Sequence, residues 1–228
     1  MFYLFLFLLL VAALVGPTLW AGHVMEKYAA DNPALPGTGG DLARHLVERF
    51  GLSGVTVEEI DGGDHYDPET KTIRLSRRVA RGRSLTAAAV AAHEVGPALQ
   101  DAHGYAPLAA RARLVKGAQR LEKAGAAALL LMPVALAITR SPMATFAVFA
   151  LGGMSLSSVA LVHLATLPVE WDASFGRALP ILKEGGYLSE EEAPAARRVL
   201  TAAALTYVAA SLAGILNVWR WMALVLRR

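Results

Sequence analysis

Four long stretches of this chain hold no Asp, Glu, Lys or Arg, and they limit its possible folds more than any motif does: Phe2 to Gly22, Ala124 to Thr139, Ser141 to Val169 and Val199 to Trp219. An uncharged helix of about 20 residues crosses the roughly 30 Å hydrocarbon layer of a bilayer. The chain is 55% hydrophobic and 18% charged, too apolar for an ordinary soluble domain and too charged for burial wholly in lipid. The expectation is a mostly α integral membrane protein with about four transmembrane helices and a small α+β polar domain. The first stretch starts apolar at once and ends near Trp20, an interfacial anchor type, so it reads as a retained helix rather than a signal peptide. Only Arg140 separates the second and third stretches, as in a helical hairpin. The second would span about 24 Å at 1.5 Å per residue, so Lys123 and Arg140 would have to snorkel.

This reading divides the chain into a first membrane helix (1–22), a polar domain (23–123), a hairpin (124–169), a second polar helical segment (170–198) and a last membrane helix (199–228). In the polar domain, DNPALPGTGG reads as a linker. DLARHLVERFG spaces Leu42, Leu46 and Phe50 four apart on one helical face, with Gly51 as a stop. GVTVEEI and KTIRLS read as short strands joined through the turn-rich DGGDHYDPET. Ser84 to His103 is helical and apolar nearly all round, ended by Gly104, and a basic helix from Pro107 follows.

Fourteen Lys and Arg lie between His23 and Lys123 and four between Pro168 and Arg198, against Arg140, Arg220, Arg227 and Arg228 elsewhere. Under the positive-inside rule this places the polar domain in the cytoplasm and both termini outside, in a multi-pass protein of the cell membrane. The net charge of +3 is spread without a polybasic run, so no nucleic-acid partner is expected. The chain has no cysteine, so any metal must be held by His, Asp or Glu.

The stretch AAHEVGPALQDAHGY, Ala91 to Tyr105, begins a zinc peptidase signature and departs from it. In His-Glu-x-x-His on a helix, the two histidines face one way and share a metal, and the Glu is the general base toward water. Here His93 and Glu94 are present and Pro97 stands where the second His belongs. A His-Glu pair alone is more often a structural ion pair. An apolar helix makes an unpaired ionisable pair expensive, which favours a site. Glu170 is the candidate third ligand, because a hairpin returns the chain to the side it left. The structural alternative is a carboxylate at the positive end of a helix that Pro168 begins. His163 lies about 10 Å from Glu170 along an unbroken helix and is read as a membrane-interior polar residue. His103, ten residues after His93, has metzincin spacing but lacks the glycine turn that geometry uses.

DHYDP at Asp64 to Pro68, IRLS at Ile73 to Ser76, GRS at Gly82 to Ser84, the His93–Glu94 helix, LPVEWDAS at Leu167 to Ser174 and AALTYVAASL at Ala203 to Leu212 resemble, in order and spacing, the YugP-like membrane zinc metallopeptidases. More distantly the logic is that of the HtpX and Ste24 proteases. The resemblance implies a zincin-like domain with one zinc held by His93, the residue at position 97 and Glu170, and Glu94 as the catalytic base. It implies an edge strand at Ile73 and Leu75 on which an extended substrate could lie, with Asp64, His65 and Asp67 near the cleft. The expected partners are a peptide or membrane-protein substrate and the lipid bilayer.

Pro97 supplies no imidazole and no amide for the carbonyl of His93, and an interior proline costs about 3 kcal/mol or more. His93 and Glu170 alone would hold zinc weakly. The expectation is therefore a zinc endopeptidase impaired or inactive as this chain stands; the alternative is a natural pseudoprotease acting as a membrane-bound peptide- or protein-binding scaffold. One base separates a His from a Pro codon, as in a one-step substitution of an active enzyme.

Overall fold

The computed structural model describes residues 1–139, 143, 162 and 165–205. Helix α1 (Phe2–Lys27) leads through a loop to α2 (Gly39–Arg49), strands β1 (Thr56–Ile60), β2 (His65–Asp67) and β3 (Thr72–Ser76), then α3 (Arg77–Ala80), α4 (Leu85–Ala102) and α5 (Ala106–Thr139). A helix that we call α6 follows over 165–184, α-helical at both ends and π-helical over Asp172–Ala178. Residues 193–205 are helical as well.

Among the described residues no helix is long and apolar enough to cross a membrane. The integral membrane architecture with four spans is therefore corrected to a mostly helical chain with a small sheet. The packing gives the reason. α1 runs through position 22 to Lys27, and Ala21 and Val24 in its last turns are buried in the domain core. α5 is one helix of 34 residues that carries Arg111, Arg113, Lys116, Arg120, Glu122 and Lys123 along its first 18 residues. Val199, Leu200 and Ala202 pack in the same core as α1, not against lipid. The sidedness read from Lys and Arg rested on those spans and has no support from the described residues. Most of the hairpin's second arm, His163 included, and the chain beyond 205 lie outside the described residues.

α4 is the central element, packed by α2, α3, α5, β2, β3 and α6. Its start is fixed by Ser84, whose Oγ accepts the Ala87 amide at 3.1 Å. Its end is fixed by Gly104, whose φ of 63° a residue with a side chain seldom adopts. Thr38 and Asp41 close a capping box on α2, and Ala43 and Leu46 are the α2 side chains that enter the core. Phe50 stays 40% exposed. The DNPALPGTGG stretch is no free tether, because Arg83 donates to the carbonyls of Pro33 and Leu35 at 2.9 and 2.7 Å.

The sheet has the order β1-β3-β2, with β1 parallel and β2 antiparallel to β3. The segment between the two expected strands thus contains a strand of its own. β3 is central rather than an edge, so both its backbone ladders are already taken. Ile73 and Leu75 are fully buried beneath it.

Candidate functional site

α4 brings His93, Glu94 and Pro97 to the middle of the domain, all three buried. Pro97 does not break the helix, which stays continuous from Leu85 to Ala102. Gly96 is what lets α6 come against α4: a Cβ there would lie 2.9 Å from Cα and Cβ of Ala173 and 3.0 Å from its carbonyl oxygen. Only hydrogen fits in that space. The close approach sets Glu170 against α4, its Oε2 3.1 Å from His93 Nε2.

The π-helical stretch follows directly. Leu179 N–H bonds to the Ser174 carbonyl, five residues back, and Pro180 comes next without an amide to give. Within this stretch Ser174 Oγ lies 2.9 Å from His93 Nδ1. Across the site, Arg111 of α5 reaches the other oxygen of Glu170, Nη1 to Oε1 at 3.4 Å. One helical turn beyond Pro97, fully buried Gln100 donates from Nε2 to the Val169 carbonyl and to Asp172 Oδ2, each at 2.9 Å. This holds the segment leading into Glu170.

Burial works against a charged His93, but the hydrogen bond to Glu170 and the charges of Glu94 and Glu170 outweigh it and raise its pKa above the ordinary 6.5. Burial lifts the Glu94 carboxyl to about 7, opposed by the nearby His93. A carboxyl that titrates near neutrality in a cleft has the acidity a general base needs. His93 and Glu94 line a cleft of about 590 Å³, with Asp64 and Ser76 on the sheet side and Val90 and Ala203 among its apolar walls.

Among the other residues singled out from sequence, Asp64 lies at this cleft, its Oδ1 accepting the Ser76 amide at 2.7 Å. His65 contacts the Gly63 carbonyl through Nδ1 at 2.9 Å. Asp67 accepts from Arg74 at 2.7 Å and from the Glu69 amide at 2.9 Å, which makes it a turn and ion-pair residue. His103 caps the end of α4, exposed, beside Leu99 and Arg177, and does not join His93. Sequence reasoning missed Ser174, Arg111 and Gln100. Ser174 follows Glu170 by four residues, one helical turn, and that spacing was available as a signal; Arg111 and Gln100 left none.

Residues 2–226 match the family described as "Putative neutral zinc metallopeptidase". The chain belongs to this family. It is 35% identical over 227 residues to the "Putative membrane protease YugP" of Bacillus subtilis (strain 168), a match covering 97% of each chain. No solved structure matches.

The family implies zinc, and the residues present do not complete a site for it. His93 and Glu170 meet, but the third position on that face of α4 is Pro97, which has no donor atom to give. Among the described residues no group of three or more His, Asp or Glu could hold a metal ion. A catalytic zinc site takes three protein ligands and leaves a position open.

Proposed function

We propose that this chain is built as a membrane-associated zinc endopeptidase whose hydrolytic site is disabled at Pro97, so that zinc is held weakly or not at all and peptide hydrolysis is impaired. The observation that carries this reading is the buried pairing of His93 with Glu170 at 3.1 Å, beside Glu94 and Pro97 on one helix. Two of the three ligands a zinc peptidase needs stand together, and the base stands beside them. In a competent form zinc would polarise the scissile carbonyl. Glu94, which lines the cleft, would take a proton from the attacking water and pass it to the leaving amine, and a peptide or membrane-protein segment would lie along the cleft at Asp64 and Ser76.

Membrane association is supported by the name of the Bacillus relative and by the apolar surface of α1, where Phe5, Leu9 and Leu19 are each more than half exposed. The test is cleavage of an unstructured peptide by the Pro97→His chain supplied with zinc, against the same chain carrying Glu94→Gln. Cleavage that needs both the Pro97→His substitution and an intact Glu94 supports the reading; a Pro97→His chain that folds, takes up zinc and cuts nothing counts against it. A second reading, a scaffold that holds peptides without cutting, is favoured by the unbroken course of α4 through Pro97. It predicts that the chain as it stands binds peptides as tightly as its Pro97→His form.

A further inference from the structure

A histidine ring can present either nitrogen to a carboxylate, and what selects Nε2 of His93 lies on the far side of the ring. Ser174 Oγ is 2.9 Å from His93 Nδ1 and 3.3 Å from the carbonyl oxygen of Leu200, and Ser174 is fully buried. A carbonyl only accepts, and a hydroxyl has a single hydrogen. When Ser174 donates to Leu200, its oxygen is left to accept, and the group facing it is Nδ1–H. Glu170 Oε2 faces Nε2 on the opposite side of the ring, 3.1 Å away. Each ring nitrogen thus has its own polar partner, and a flipped ring would put carbon against both.

We propose that Ser174 is a positioning residue: it holds a proton on His93 Nδ1 and thereby turns Nε2 toward Glu170. The proposal rests on the reading of His93 and Glu170 as the surviving part of a metal site, and it extends that site to three helices, since α6 carries Ser174, α4 carries His93 and the 193–205 helix carries Leu200. Ser174 supplies this hydroxyl from within the π-helical stretch, fully buried next to Ala173, the residue that meets α4 at Gly96.

The test is a one-bond proton–nitrogen spectrum of the imidazole rings in the full chain, Pro97 retained and labelled with nitrogen-15 at histidine, with His93→Gln to assign the signal. The expected result is a slowly exchanging proton on His93 Nδ1, whose exchange quickens or whose signal is lost in Ser174→Ala. A Nδ1 without a proton in the unaltered chain, or a signal indifferent to Ser174→Ala, overturns the proposal. Should Ser174→Ala fail to fold, the spectrum of the unaltered chain still decides. In a Pro97→His background Ser174→Ala should weaken zinc by about 10- to 100-fold, the usual effect of losing such a partner, and an unchanged affinity also overturns the proposal. A Pro97→His chain that takes no zinc contradicts the metal-site reading instead and leaves the imidazole spectrum to judge Ser174 alone.

Discussion

Gly96→Ala should damage this protein although alanine is the better helix former. The added Cβ would stand 2.9 Å from Cα and Cβ of Ala173 and 3.0 Å from its carbonyl oxygen, against about 3.5–4.0 Å for relaxed carbon contacts. The atoms it meets are mostly backbone, so α6 must retreat from α4 by about 0.6–1 Å. Overpacking of this size costs about 1–3 kcal/mol, and alanine's propensity returns about 1 kcal/mol. The control is Gly117→Ala in α5, where an added Cβ meets nothing within 4 Å and only the propensity gain remains. Thermal unfolding followed by circular dichroism should show Gly117→Ala level or more stable and Gly96→Ala lower than that control by about 1–3 kcal/mol. At about 2–4 °C per kcal/mol the gap is roughly 2–12 °C. The same retreat would open the 3.1 Å contact between His93 and Glu170. Equal midpoints for the two variants would refute the claim that Gly96 sets the α4–α6 approach.

Other outcomes follow from the same contacts. Leu75→Ala should lower stability by about 2–5 kcal/mol in an unfolding assay, since Leu75 is fully buried; a stable variant that only loses peptide binding would restore it to the substrate surface. Ser84→Ala removes the cap of α4 and should cost about 1 kcal/mol in the same assay; no change would mean that the cap is idle. The Asp67 carboxyl is held at about 2, below its ordinary 3.8, chiefly by its hydrogen bond from Arg74. Because the folded value is depressed, this stabilisation is present above pH 3.8 and is lost as pH falls toward 2. Arg74→Met should move the Asp67 midpoint, read by carbon-13 NMR, up toward 3.8; a midpoint still near 2 would remove Arg74 as the main cause.

Local signals in the sequence were well legible. The ends of α4 follow from Ser84 and Gly104, and the core face of α2 from Leu46 and its helical spacing. Glu170 and His93, expected together, do meet, although the hairpin from which that expectation was argued lies mostly outside the described residues. The multi-span reading failed because an uncharged run says that a helix avoids water, without saying what covers it: among the described residues Ala21, Val199 and Leu200, at the ends of their runs, are covered by a shared protein core. The order of the sheet was not legible, because Thr72–Ser76 alternates alike as an edge or a centre and β2 is only three residues long. Ser174 could have been found one helical turn after Glu170, whereas Arg111 meets the site from α5 through packing between helices, which no local pattern encodes.

On the proposed reading, Pro97 alone separates this chain from a working metal site. The most direct test is zinc per chain by elemental analysis of the purified protein beside its Pro97→His form. That reading predicts about one zinc in the Pro97→His form and little in the chain as it stands. A full equivalent of zinc in the Pro97 chain would contradict it, and so would a folded Pro97→His chain that holds none.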